Sequence, residues 1–287
     1  MTNIDKRGVE STVYITYIVA TYNCVKEVEV LAKTISSLDG LPVEFIVSDG
    51  GSSDGTLEAL AKIPNLIVAQ SSPDEGIYDA WNKVIVNSNG LYIGFIGIDD
   101  MPTKKFILEA IKIFTNSSSY YSVLYGNIVL IRKERYRSII SPANPKLFTS
   151  ETPVFDIPHQ GLLQHRTLFE NHKFDKKYKL AGDLHFLLSA SKNVPSFTYK
   201  KINQFQSIVS EDGVSRSASA WSLYLNEYCM IESDLRLKLG YSKNKILLLS
   251  LFKYTPRLFD FIKSISWLIR GKLDINVSDK LESLDKC

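Results

Sequence analysis

Cysteine is scarce in this chain. Only Cys24, Cys229 and Cys287 occur, an odd number, far apart and without a C-x-x-C pair. That argues against a disulfide framework or a cysteine-built zinc site and fits a reducing compartment. Long apolar runs are missing as well: no stretch reaches the roughly 20 residues needed to cross a bilayer. The opening residues, Met1 to Glu10, are polar and charged and lack the apolar segment of a secretion signal. The chain is therefore expected to be made and kept in the cytoplasm. Charge of one sign is not in excess; a formal net charge of +3 is too small to single out nucleic acid as a partner. Neither G-x-G-x-x-G nor G-x-x-x-x-G-K-[ST] occurs. The glycines around Gly50 are thus not a dinucleotide fingerprint, and there is no Walker A loop.

What is present is the composition of an ordinary globular protein, 45% hydrophobic and 23% charged, in a length that suits one catalytic domain with an appendage. Three parts are expected: a polar tail over 1–12, a domain over 13–240 and an extension over 241–287. Within the domain, strand and helix patterns alternate. Val13 to Ala20 reads as a buried strand, Val28 to Leu38 as a helix and Val43 to Ser48 as a second strand ending at Asp49. A helix through Leu57 and Leu60 follows, with Ser53 or Asp54 as its cap. Then come a strand at Leu66 to Ala69, a helix at Ile77 to Val86 and a near-continuous apolar strand at Leu91 to Ile98. Pro102 is placed to open the next helix, which runs to Phe114. This order predicts an α/β fold with a mostly parallel sheet and helices on both faces. Later, Ser122 to Ile131 and Tyr136 to Ile140 read as a hairpin. Ser141 to Pro158 reads as a loop, Asp183 to Ser191 as a helix and Ser196 to Val209 as one or two strands.

Chemistry is expected at the carboxyl ends of the parallel strands, where open α/β sheets bind ligands. Three segments reach that edge: Thr21-Tyr22-Asn23, Asp49 and the doublet Asp99-Asp100. Two adjacent carboxylates repel each other unless a cation neutralises them, and Mg²⁺ or Mn²⁺ is commonly held by one or two carboxylates plus phosphate oxygens. The doublet is read as a metal–diphosphate site, with a solvated turn and helix cap as the alternative. Asp183 taken alone is a good helix N-cap, His159 alone a satisfied loop histidine, Lys83 a solvated helix face and Trp81 a core residue.

Several ordered blocks then point further. Ile18-Val19-Ala20-Thr21-Tyr22-Asn23, the run from Glu44 to Thr56, Asp74-Glu75-Gly76-Ile77-Tyr78-Asp79-Ala80-Trp81-Asn82-Lys83, Gly94 to Asp100, His159-Gln160-Gly161 and Leu180-Ala181-Gly182-Asp183 resemble those of bacterial family 2 glycosyltransferases. The likeness covers about residues 13 to 216, and the block from Asp74 to Lys83 resembles one characteristic of bacterial enzymes that build colanic acid, O-antigen and related glycans. It implies a GT-A Rossmann-like nucleotide-diphospho-sugar transferase fold. By resemblance, Asp49 recognises base or ribose beside Thr21, Tyr22 and Asn23, and Asp79, Asn82 and Lys83 line the nucleotide side. Asp99 and Asp100 form the metal motif, Asp100 being the direct ligand. Asp183 is the catalytic base, and His159 and Gln160 face the acceptor or diphosphate. The implied activity is inverting transfer from a UDP-sugar, with Mn²⁺ or Mg²⁺, to a lipid-linked glycan. The chain departs from the pattern at Trp81, Val84, Ile98 and Glu211 to Ser215, which bears on the donor sugar. The alternatives are a nucleotide-sugar-binding protein without turnover and a nucleotidyltransferase.

Between Ser242 and Lys272 seven lysines and arginines face one acid, Asp260, within an apolar segment broken at Pro256. Such a basic amphipathic segment fits the surface of an anionic membrane. The other reading is a helix pair packed on its own domain.

Overall fold

The computed structural model describes residues 13–117, 120–132, 136–140, 157–194, 196–210 and 218–239. The extension 241–287 and the segment Glu211 to Ser215 lie outside these residues, as does most of the expected loop after Ser141. The chain begins with β1 (Ile15–Thr21), α1 (Val28–Ser37), β2 (Val43–Asp49), α2 (Thr56–Leu60), β3 (Leu66–Ser71), α3 (Ile77–Val84) and β4 (Tyr92–Ile96). There follow β5 (Met101–Pro102), α4 (Lys104–Asn116), β6 (Val123–Arg132), β7 (Tyr136–Ile140), β8 (Leu162–His165), α5 (Leu168–Asn171), α6 (Gly182–Asn193), β9 (Tyr199–Ser210) and α7 (Ala218–Leu235).

The described strands form one sheet in the order β3-β2-β1-β4-β8-β6-β9-β5, with β7 hanging on β6. The first four strands pair in parallel, as βαβ crossovers require. Beyond β4 the sheet is mixed: β8 runs antiparallel to both β4 and β6, while β6 and β9 are parallel. Side chains alternate between the faces. Ile15, Tyr17 and Val19 of β1, with Phe45, Val47, Tyr92 and Ile96, bury against Leu31, Leu60, Phe106 and Ala110 of α1, α2 and α4. Ile18, Ile46, Ile93 and Phe95 bury against Trp81 of α3, Leu184 and Leu187 of α6 and Ile231 of α7. Each such fully buried large side chain contributes about 1.5–3 kcal/mol relative to exposure, so both faces must be covered and the expected three-layer α/β arrangement results.

Three local expectations are corrected. Pro102 does not open a helix; it sits in β5 on an edge of the sheet, where its missing N–H costs no ladder bond. Thr103 caps α4 instead, accepting from the Phe106 amide at 3.4 Å. The cap of α2 is Gly55, at φ +95, a conformation that suits glycine. Asp54 still serves that turn, accepting from the Thr56 amide at 3.0 Å. The cap of α6 is Ala181, not Asp183, which lies within the first turn and accepts from the Leu184 amide there at 2.9 Å.

Two buried carboxylates fix the ends of the strands. At the amino edge, Glu44 accepts from the Thr16 hydroxyl at 2.6 Å and from the Asn89 side-chain amide at 3.0 Å. Gly90 donates to the same hydroxyl at 2.8 Å, so close that a Cβ there would lie 2.4 Å from the Thr16 backbone nitrogen. At the carboxyl edge, Asp49 is fully buried and takes five donors. They are the hydroxyls of Thr21 (2.9 Å), Ser52 (2.6 Å) and Ser71 (2.8 Å) and the amides of Gly51 (3.0 Å) and Ser52 (2.8 Å). Burial alone would raise its pKa, but these hydrogen bonds hold the carboxyl below the ordinary value.

Two outcomes follow. Gly90→Ala pushes a methyl group into backbone that cannot retreat, and should lower stability by about 1–3 kcal/mol in urea titrations; an unchanged midpoint would contradict the close approach. Asp49→Asn should cost about 1–3 kcal/mol at pH 7. Because the folded carboxyl is depressed, its contribution is complete above about pH 5 and is lost as pH falls through roughly 4 and below. The gap between parent and Asp49→Asn, followed by urea midpoints from pH 7 to 3, should therefore narrow toward acid. A gap independent of pH would show that no charged form is being stabilised.

Candidate active site

In a sheet that runs β3-β2-β1-β4 the chain reverses its direction of travel between β1 and β4, and the region beyond the carboxyl ends of those strands is where open α/β sheets bind ligands. Thr21-Tyr22-Asn23 leaves β1 there, and the loop from Asp49 leaves β2. The two are stapled together. Gly50 donates to the Thr21 carbonyl at 2.8 Å, Asn23 donates its amide to the Ser52 hydroxyl at 2.8 Å, and Ser53 donates to the Asn23 side chain at 2.9 Å. Asn23 sits at φ +47, which asparagine tolerates better than most residues. Tyr22 stays 66% exposed, and its ring and the Asp74 carboxylate both border Gly50. Asp49 thus shapes this loop pair with every carboxylate oxygen engaged by protein donors.

Helix α3 starts beside that loop pair. Asp79 pairs with Lys83 at 2.9 Å and with Lys176 at 3.4 Å, and takes the Glu75 amide at 3.1 Å. The hydrogen bond from Lys83 leads in holding its carboxyl below the ordinary value. Lys83 also donates to the Pro73 carbonyl at 3.2 Å, fixing the turn that carries Asp74. Asn82 differs from its expected place on the nucleotide side. Its amide donates to the Phe174 carbonyl at 2.8 Å and accepts from the Phe174 amide at 3.0 Å, so it clamps the segment after α5 onto α3.

The doublet follows β4 by three residues, in the turn Gly97-Ile98-Asp99-Asp100. The Gly97 amide donates to Asp100 Oδ2 at 2.7 Å. A Cβ on Gly97 would lie 3.1 Å from Asp99 Oδ1 and 3.2 Å from Asp100 Oδ2, so both carboxylates crowd close to this glycine. Asp100 is buried and Asp99 half-buried. Among the described residues no group of three or more metal-binding side chains is assembled. The doublet alone offers the one or two carboxylates that Mg²⁺ or Mn²⁺ takes when phosphate oxygens complete its shell, so these residues fit such an ion.

Strand β8 brings in the other half of the site. It pairs antiparallel to β4, Tyr92 opposite His165 and Ile93 opposite Gln164. Residues just before β8 therefore lie at the carboxyl end of β4. His159-Gln160-Gly161 occupies that place as a single 3₁₀ turn, held by the Ser207 hydroxyl donating to the Gln160 carbonyl at 3.1 Å. The His159 ring packs edge-on against Trp81, which also contacts Phe95 near the end of β4. His159 Nδ1 stands 3.3 Å from Asp183 Oδ2. The opposite oxygen, Oδ1, takes the Tyr78 hydroxyl at 3.2 Å and the Leu184 amide at 2.9 Å. Tyr78, whose hydroxyl is pushed well above its usual pKa by burial, escaped sequence reasoning. The only signal was its place one turn before Trp81 on the apolar face of α3.

The structure therefore gathers Thr21, Tyr22, Asn23, Asp49, Asp99, Asp100, His159, Gln160 and Asp183 at one edge of the sheet. It assigns Asn82 to the framework, and it pairs Asp79 with Lys83.

Comparison with known proteins bears on the family and the fold. A PGL/p-HBAD biosynthesis glycosyltransferase of Mycobacterium tuberculosis is 27% identical over 158 residues, 52% of this chain and 59% of its own. The chain thus spans about three-fifths of the length of that relative. An uncharacterized glycosyltransferase of the same species is 26% identical over 182 residues, 57% of this chain and 68% of its own. Among solved structures, S. aureus TarS 1-349 in complex with UDP-GlcNAc aligns with a TM-score of 0.57 at 17% identity, over 86% of this chain and 73% of that one. Mannosyltransferase PcManGT from Pyrobaculum calidifontis, in complex with GDP-Man and Mn²⁺, aligns with a TM-score of 0.55 at 16% identity, over 83% and 69%. These likenesses show a shared GT-A-type fold. The sequence profile described as Glycosyl transferase family 2 matches residues 16–173, from β1 to just past α5 and short of Asp183. That match takes in more than half of the residues, and the chain belongs to glycosyl transferase family 2.

Proposed function

We propose that this chain transfers a hexose, with inversion, from a nucleotide-diphosphate donor to a hydroxyl of a glycan acceptor. The observation that carries the reading is the meeting of Asp183 with His159 at the sheet edge where the doublet Asp99-Asp100 ends β4. The acceptor oxygen attacks the anomeric carbon from the face opposite the diphosphate. The bond from that carbon to the phosphate oxygen breaks, and the leaving nucleoside diphosphate keeps the electron pair. Asp183 Oδ2 takes the hydroxyl proton, because Oδ1 is already engaged by Tyr78 and Leu184. His159 stands beside the same oxygen and limits the directions from which a hydroxyl reaches it. Asp99 and Asp100 would hold Mn²⁺ or Mg²⁺, which when bound supplies Lewis-acid stabilisation of the diphosphate charge. Exposed Tyr22 and the stapled loop around Asp49 receive the base and ribose.

The donor in this reading is a UDP-sugar, supported by the family resemblance and by the UDP-GlcNAc complex of a protein with the same fold. The acceptor is lipid-linked and belongs to a bacterial surface polysaccharide, with the basic segment after Ser242 resting on the inner membrane face. No helix of the described residues is long and apolar enough to cross a membrane.

A donor screen that reads released nucleoside diphosphate with Mn²⁺ or Mg²⁺ tests the activity. A UDP-sugar should turn over and GDP-mannose should not; nucleotide-sugar binding without release for any donor would favour a binding protein. Asp100→Ala should abolish metal-stimulated turnover while the thermal transition stays cooperative, and undiminished activity would remove the doublet from the site. Asp183→Asn should lower kcat by roughly 10²–10⁴ at unchanged nucleotide affinity, and near-parental kcat would require another base.

A further inference from the structure

Helix α7 carries a buried acid, Glu227, only 2% exposed and far in sequence from every residue of the site. Both of its oxygens point at the segment that leads into α6. Oε1 accepts from the Lys179 amide at 2.6 Å, and Oε2 accepts from the amides of Leu180 at 2.9 Å and Ala181 at 2.7 Å. Three consecutive backbone N–H groups converge on one carboxylate, the arrangement in which main chain binds an anion most strongly. The next two residues are Gly182 and Asp183.

Gly182 has no room to shift. A Cβ there would lie 2.7 Å from the Tyr78 ring, whose hydroxyl in turn donates to Asp183. The same approach segment is tied from its other flank, Lys179 Nζ donating to the Glu75 carbonyl at 2.8 Å and Lys176 to the Glu75 carboxylate at 2.9 Å. Further along α7, Asp234 receives the Tyr178 hydroxyl and pairs with Lys177 at 2.6 Å. The irregular run from Phe174 to Ala181, with a turn at Lys176-Lys177, is thus held between α3 and α7, and its last three amides are held by Glu227 alone among the bonds described.

We infer that Glu227 is the positioning residue for Asp183: its carboxylate fixes the backbone at 179–181 and thereby sets where the carboxylate of Asp183 stands relative to the acceptor. Glu227 touches neither the doublet nor the loops of Thr21 and Asp49, so its influence falls on the acceptor side of the reaction and leaves donor binding alone. The inference rests on Asp183 acting as the base.

The test uses the full chain and compares Glu227→Gln, Glu227→Asp and Asp183→Asn. UDP affinity and stoichiometry are measured by calorimetry, and kcat and donor KM are measured per UDP-binding site. Glu227→Gln sets an amide N–H₂ against a backbone donor. Glu227→Asp keeps the charge but falls one methylene short. Both should bind UDP with parental stoichiometry and within about twofold of parental affinity, with donor KM unchanged and kcat down on the order of ten- to a hundredfold, the penalty of a misplaced catalytic group. Three outcomes overturn the inference: parental kcat per binding site, a parallel loss of kcat and UDP affinity, or failure of both Glu227 variants to fold, which would make Glu227 a residue of general stability. If Asp183→Asn itself retains parental kcat, the assignment of the base fails first, whatever the Glu227 variants do.

Discussion

The antiparallel seat of β8 against β4 is the contact on which the site depends. Parallel strands deliver their loops to one edge, and the doublet after β4 arrives there from the first half of the chain. A strand of opposite sense beside β4 begins where β4 ends. The turn that precedes β8 is therefore delivered to the same edge, and His159 comes with it. Trp81 fills the space between the end of β4 and that turn, and Tyr78 one helical turn earlier reaches the first turn of α6. With β8 in the other sense His159 would stand at the amino edge, beside Glu44 and Gly90.

Buried carboxylates do much of the ordering, and they do it in one way. Glu44, Asp49 and Glu227 are each buried, and each accepts from hydroxyls or amides, Glu227 from three backbone amides, with no ion pair to any of them among the described residues. A charge taken out of water needs several good donors to recover its hydration. Some of these donors are distant in sequence, Asn89 for Glu44, Thr21 and Ser71 for Asp49 and residues 179–181 for Glu227, so each acid ties together segments far apart in the chain. Asp79, itself buried, follows another pattern and pairs with two lysines whose side chains stay partly in water, which screens the pairing.

The first half of the fold was legible because its signals are local. β1, β2 and β4 are runs of β-branched and aromatic residues buried on both faces, and α1 and α3 show their apolar stripes openly. Pro102 misled because proline suits a helix start and an edge strand equally; Thr103, one residue on, decides between them by capping α4. β8 went unread because four residues, Leu162 to His165, carry too little alternation. α7 mixes Ser, Asn, Glu and Asp through its length and presents no clean stripe. Within the site, the doublet and Asp49 could be found from strand ends. The pairing of His159 with Asp183 could not, since it arises from β8 and α6 packing across 24 positions, and only family resemblance named both residues. Asn82 and Glu227 bind main chain, and an acid or amide that binds main chain leaves no partner residue to find.

Pro102 also bears on how the sheet ends. β5 closes the described sheet on one side with a two-residue ladder to β9. Proline offers no amide hydrogen to an incoming strand, so that flank cannot template a full set of bonds to a neighbouring molecule. Over Met101-Pro102, crowded copies of this protein would find one donor fewer to pair with.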